Sequence, residues 1–307
     1  MEHLWIAASV AAAFFQALRH ASLKELNRHL STLVTTYARV FFGLPLLSAY
    51  FAGTLLVTGD PLIAPDARFL LFSGCAAATQ VAGTALMIKL FKLGNFAVGV
   101  MLTKTDVMLT AMMGSIIFSE VITLPGWLAI LVTFLGVVIA SAGRLPGPIL
   151  QTSALSLQGV IFGKPARIGL ASGLTFAISY LTLRESILCL GPAAGPLVRS
   201  AYAAVAMTAW TFVILGIWLL IRERHGLWGM RRHLGLCLLV GTTSALGTMS
   251  WFLATALANA SYVAAVAQVQ AAFTLAISRY WFRESITRLE LVGIAVILAG
   301  VLLFRLA

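Results

Sequence analysis

Ten apolar runs, each about long enough to cross a bilayer, follow one another along the chain. They lie near Leu4–Leu26, Leu33–Val57, Phe69–Phe91, Phe96–Phe118, Ile122–Ala142, Ile168–Leu190, Pro196–Ile221, Leu234–Ala256, Tyr262–Phe282 and Leu289–Leu306. A span needs about 20 mostly apolar residues. A soluble chain of 307 residues could not bury so much apolar surface, with 60% hydrophobic residues, 10% charged ones and a mean hydropathy of +0.98. The period-2 alternation of a membrane barrel is absent, so the spans read as helices. The expected class is an all-α integral membrane protein with ten transmembrane helices.

The formal charge is +11, yet its distribution does not suit a nucleic-acid surface. Most Lys and Arg stand at the ends of the apolar runs, where they act as orientation signals. Fifteen of the 21 fall to the side of the loops joining spans 1–2, 3–4, 5–6, 7–8 and 9–10. The positive-inside rule makes that side cytoplasmic and puts both termini outside. The opening MEHLWIAASV has no basic n-region, so the first helix is expected to be retained. Cys75, Cys189 and Cys237 lie in apolar stretches without metal spacing and read as packing residues. His3, His20, His29, His225 and His233 are dispersed, and no P-loop, nucleotide fingerprint or nucleophile motif is present. Neither an ATP-driven pump nor an enzyme is supported, and no cofactor or metal is expected.

The chain repeats itself. Residues 95–141 align without a gap with 259–305 at an offset of 164, pairing Asn95 with Asn259, Thr110 with Thr274, Glu120 with Glu284, Ile122-Thr123 with Ile286-Thr287 and Gly136 with Gly300. Leu18-Arg19 matches Leu183-Arg184 at an offset of 165. Five spans per repeat put the halves in opposite orientations, as in secondary transporters whose substrate site lies at the repeat interface. The expected division is 1–143, a Gly-, Pro-, Ser- and Gln-containing linker over 144–165, and 166–307.

The doubled E-x-I-T signature, with its late glycines Gly136 and Gly300, resembles the tandem EamA domains of the drug/metabolite transporter superfamily. The resemblance covers nearly the whole chain. It implies two inverted five-helix repeats around a central cavity, moving a small metabolite or drug by alternating access. Arg39, in TYARVFFGLP, looks like the arginine often seen in that family's second helix. Relatives of this kind are usually drawn with their termini inside, opposite to the count of basic residues. The small multidrug relatives carry a glutamate eight residues before a first-helix lysine; here that position is Gln16, before Lys24. Where the family commonly has a proline in helix four, this chain reads KTD.

Lys104 and Asp106 interrupt VMLTKTDVMLTAMM. Each costs about 2.5–3.5 kcal/mol at a helix centre, so the pair would cancel roughly ten Leu-like neighbours. On a continuous helix, positions i and i+2 point about 200° apart, so each needs its own partner or a cavity. Arg39 and Arg199 are potential partners of Asp106, and a packing salt bridge is the alternative to a transport role. The second repeat offers Gln268 and Gln270 at the same places, with interhelical hydrogen bonding as their alternative role.

The expected set of substrate- or ion-binding residues is Lys104, Asp106, Gln268, Gln270, Gln16, Arg19, Arg39, Tyr180, Arg184, Arg199 and Trp251. Arg184 has Glu185 beside it as a local partner, Arg39 and Arg199 could snorkel to headgroups, and Tyr180 and Trp251 could equally be packing aromatics. Glu120 and Glu284 read as caps of the helices that follow them. Ala129/Gly136 and Gly293/Gly300, seven apart, read as close helix packing. Function is expected to be secondary transport of a small molecule in the plasma (inner) membrane, in the export direction and with a proton as a coupling ion. A homodimer is left open. A lipid or lipid-linked sugar flippase on the same fold, or a membrane assembly subunit without transport, are the alternatives.

Overall fold

The computed structural model describes residues 3–91, 104–142, 164–223, 226–281, 283 and 286–304. Those residues form helices and turns only: α1 (Leu4–Leu26), α2 (Thr32–Thr58), α3 (Ala67–Phe91), α4 (Asp106–Ile117), α5 (Leu124–Ala142), α6 (Lys164–Cys189), α7 (Pro196–Arg222), α8 (Gly226–Arg232), α9 (Leu234–Leu257), α10 (Ala260–Val266), α11 (Gln270–Tyr280) and α12 (Arg288–Leu303). A single 3₁₀ turn, Ala267–Val269, separates α10 from α11. Seven stretches among the described residues are long and apolar enough to cross a membrane, and α4 is a shorter apolar helix.

Local chemistry sets the ends. Ser31 accepts from the Val34 N–H at the start of α2, and Gly59 stops that helix in the left-handed conformation, at φ 69°. Asp66 accepts from the Phe69 N–H at 2.7 Å, Pro196 opens α7, and Thr287 with Glu290 forms a capping box on α12.

The helices are apolar on the outside and small or polar within. Leu56 is 86% exposed and Ile116 is 78% exposed, whereas α1 buries Ala8, Ser9, Ala12, Ala13, Ala17, Ala21 and Ser22. In lipid there is no hydrophobic force between helices, so association rests on close backbone approach, which small residues permit.

Two compact units divide the chain, and neither coincides with a sequence half. The first comprises Met1–Ala78 and Thr182–Asn259; the second comprises Thr79–Leu181 and Ala260–Ala307. In the first, Leu47, Phe69, Ile187, Met207 and Phe252 belong to a core that α2, α3, α6, α7 and α9 build. Helices α2 and α7 run antiparallel there: Phe51 stacks on Tyr202 at 5.0 Å, while Tyr37 meets Phe212 at 5.3 Å.

In the second unit α5 and α12 are antiparallel at very close range. A Cβ on Gly136 would lie 2.6 Å from the Ile297 nitrogen, one on Gly293 would lie 2.6 Å from the Ala140 Cα, and one on Gly300 would lie 2.7 Å from the Thr133 nitrogen. The contact is reciprocal, because Thr133 matches Ile297 and Gly136 matches Gly300 in the repeat. Each glycine therefore meets the other helix at the same relative position.

Three expectations need correction. The ninth run, expected as one helix, is broken at Ala267–Val269. The fourth, expected over Phe96–Phe118, has its described helix beginning at Asp106; residues 96–103 lie outside the described residues. The loop between the seventh and eighth runs holds an unexpected helix, α8. The linker call falls almost wholly outside the described residues, as does Glu284.

Candidate functional site

Lys104 and Thr105 form a turn, and α4 starts at Asp106. At the offset of 164, Asp106 corresponds to Gln270, the first residue of α11. Both repeats thus begin a helical segment at the same position of the pattern. The second repeat has no Pro or Gly there, so its break owes nothing to a helix-breaking residue. Since Lys104 precedes the described helix, the 200° separation expected for a continuous helix does not govern this pair.

Asp106 is only 5% exposed. Its Oδ2 accepts a long hydrogen bond from the Tyr180 hydroxyl at 3.4 Å. Its Oδ1 is buried and has no hydrogen-bond partner among the described residues. The partner found within its own unit is a phenol. Lys104, half-buried, is the charge whose field acts on the carboxylate. A helix start favours a carboxylate, and a buried carboxylate oxygen without a partner calls for an explanation. Thr110 donates through its hydroxyl to the Asp106 carbonyl at 2.6 Å.

Gln268, 7% exposed, donates to the Ala264 carbonyl of its own segment at 3.1 Å. Gln270 is half-buried. Lys104, Asp106, Tyr180, Gln268 and Gln270 all belong to the second unit.

The start of α10 is held by a residue expected to do something else. Glu120 accepts from the Ala260 N–H at 2.8 Å, the Ser261 N–H at 3.4 Å and the Ser261 hydroxyl at 2.5 Å. It caps α10, some 140 residues away, where the expectation was the following helix α5. The chain reaches this position through Ser119 at φ 53°, and Arg283, its counterpart at the offset of 164, has φ 56°. Left-handed backbone at a residue other than glycine is uncommon, and here it recurs at matching positions of the repeat.

Arg184 treats the end of α9 in the complementary way. It donates to the carbonyls of Thr255, at 3.0 Å, and Ala258, and to the Asn259 side-chain oxygen at 3.0 Å. A guanidinium there satisfies carbonyls that the helix leaves open. Sequence reasoning placed Arg184 beside Glu185 and did not foresee these acceptors. The repeated Arg, Asn and Glu were the signal, but their partners are not local.

The remaining expected residues lie in the first unit. Gln16 packs beside Gly247 of α9. A nitrogen of Arg19 lies 3.2 Å from the His20 ring. Trp251 packs against the apolar core. Arg39 follows Tyr37, whose ring reaches Gly216, and Arg199 precedes Tyr202, which meets Phe51. That antiparallel register separates the two arginines by roughly 20 Å along the helix pair, so they do not form one cationic cluster. The Arg199 Nε is buried without a partner among the described residues.

Long apolar helices and small-residue interfaces define a multi-pass membrane protein. The EamA-like transporter family matches residues 3–142 and 167–306, and the chain belongs to that family. No curated protein matches the sequence. Twenty-eight chains of known structure match. One, described only as "Crystal structure of protein", superposes with a TM-score of 0.71 over 100% of this chain and 98% of its own, at 11% identity; that likeness speaks to fold alone.

Proposed function

We propose that this chain is a secondary active transporter that exports a small metabolite or drug across the plasma (inner) membrane by alternating access, with Asp106 as its proton-accepting group. The observation that carries the reading is the Asp106 carboxylate: buried, at the start of a helical segment, and with one oxygen left without a partner among the described residues. Protonation changes the charge there by one unit in a medium that screens weakly. Two states of such a group favour different surroundings, which is what coupling a proton to a conformational cycle requires. Lys104 supplies the positive charge that an anionic substrate group would seek when Asp106 is neutral.

The fold reading behind it is ten spans in two inverted five-helix repeats, 1–143 and 166–307, joined by 144–165, around a central cavity. It is supported by the two antiparallel pairings of repeat-equivalent helices, α2 with α7 and α5 with α12. It is supported too by the break before Gln270 and by the start of α4 at the matching Asp106, since discontinuous helices commonly form transporter sites. In this reading Gln268, Gln270 and Tyr180 complete the polar surroundings of Asp106, and Gln16, Arg19, Arg39, Arg199 and Trp251 of the first unit are further substrate- or ion-binding residues. Arg184 acts by holding the end of α9. The chain performs no catalysis and needs no cofactor.

The test is transport in proteoliposomes loaded with a mixture of labelled amino acids, nucleosides and quaternary ammonium dyes. A pH gradient should drive accumulation of at least one component with the intact protein and not with Asp106→Asn. Gradient-driven transport that survives the substitution removes Asp106 from the mechanism.

A further inference from the structure

Between α7 and α9 the chain forms the seven-residue helix α8, with the sequence GLWGMRR. Its glycines make the packing face. Gly226 lies against Val34, and a Cβ on Gly229 would sit 2.7 Å from a Leu30 methyl. Met230 is buried on that side. The adjacent loop is braced by the His29 and His233 rings, stacked at 4.4 Å.

The outward face is different. Trp228 is 66% exposed, and Arg231 and Arg232 are exposed with it. The Arg231 guanidinium lies over the Trp228 ring, 4.5 Å from its centre. Arg222, at the end of α7, is exposed as well. The carboxylates of this region are engaged elsewhere: Glu25 pairs with Arg28 at 2.9 Å, and Glu223 accepts from the Ser31 hydroxyl. Both flanking helices, α7 and α9, are apolar enough to cross a membrane. Helix α8 therefore sits where the chain leaves the bilayer and re-enters it, at headgroup depth.

We infer that Trp228, Arg231 and Arg232 form a binding surface for the headgroup of an anionic phospholipid. An indole settles at the interface. A guanidinium recognises a phosphodiester through paired N–H donors. Stacking on Trp228 fixes the plane of Arg231 and leaves its outer edge for the phosphate. A choline headgroup carries its own cation, which the arginines repel; an anionic headgroup carries none. Basic residues at a membrane surface each add to the preference for anionic lipid, so two together give roughly tenfold or more. This surface is independent of the transport reading.

The test uses the full chain in liposomes of phosphatidylcholine into which brominated phosphatidylglycerol or brominated phosphatidylcholine is titrated. The chain has seven tryptophans, so the Trp228 signal is taken as the difference between the protein and Trp228→Phe. The brominated glycerol lipid should quench Trp228 at about one tenth, or less, of the mole fraction that the choline lipid requires. The double variant Arg231→Gln, Arg232→Gln, altered only at exposed positions, should bring that ratio close to one. Equal quenching by both lipids overturns the assignment, as does a ratio that the double variant leaves unchanged. Millimolar glycerol phosphate should not displace the lipid; displacement would mean a soluble phosphate site and would also overturn it.

Discussion

Glu120 accepts both the backbone N–H and the hydroxyl of Ser261, a residue 141 positions further along the chain. With the Ala260 N–H it gathers three donors at the first turn of α10. The same Ser261 hydroxyl lies 3.3 Å from the Thr110 carbonyl on α4, one helical turn beyond Asp106. The glutamate thus fixes one broken helix against the segment that carries the candidate site.

Replacing Glu120 with Ala should leave these buried donors without an acceptor and destabilise the protein by about 1–3 kcal/mol or more. Glu120→Gln should do less harm, because one oxygen still accepts, although its amide places N–H against N–H. The measurement is the temperature at which detergent-solubilised protein leaves its monodisperse gel-filtration peak. The expected order is intact protein highest, then Gln, then Ala. An Ala variant as stable as the intact protein would show that the cap carries no weight.

Arg184 invites a parallel prediction with a different discriminator. Its fork spans the Thr255 and Ala258 carbonyls and the Asn259 side chain. A lysine keeps the charge but not the planar spread of donors. Arg184→Lys should therefore lose most of what Arg184→Gln loses in thermal stability. If Lys restores the intact value, the interaction is one of charge alone.

The helix ends were legible because lipid demands it: an apolar run must end where polar chain begins, and α1, α7 and α9 begin where expected. The break at Ala267–Val269 was not legible, since VAAVAQVQAAF contains no Pro or Gly and reads as continuous helix. Its cause is tertiary, and local propensity does not report it. That Asp106 needs polar surroundings was visible from the cost of a charge among apolar neighbours, but that Tyr180, 74 residues away, donates to it was not. Glu120 announced itself as a repeated residue; its target did not, because a cap is usually sought in the next helix. The glycines were readable as close packing from their spacing, and α5 and α12 use them so.

Gly300 and Gly53 should respond to alanine with opposite signs. A Cβ at Gly300 would fall 2.7 Å from the Thr133 nitrogen, against backbone that cannot rotate aside. Gly300→Ala should destabilise by about 1–3 kcal/mol. At Gly53, inside α2, a Cβ meets nothing within 4 Å. There alanine should stabilise by about 0.5–1 kcal/mol through its better helix propensity. The same thermal gel-filtration assay reads both, and a shared sign would contradict the backbone approach of α5 and α12.

The sharpest functional prediction concerns Asp106 and Tyr180 together. Substituting Asn for Asp106 removes the proton-accepting group but keeps the volume and a hydrogen-bond acceptor for Tyr180. Exchange of labelled substrate across the membrane without a gradient should persist, while accumulation driven by a pH gradient should disappear. Tyr180→Phe leaves the carboxylate in place and deletes the long hydrogen bond of 3.4 Å to it, so gradient-driven accumulation should survive at a reduced rate, by about threefold to tenfold if the bond contributes the usual 0.5–1.5 kcal/mol. A transporter that used Asp106 only as a packing group would lose both activities together in Asp106→Asn, because exchange and accumulation need the same intact fold. The separation of the two activities is therefore what distinguishes a coupling carboxylate from a structural one.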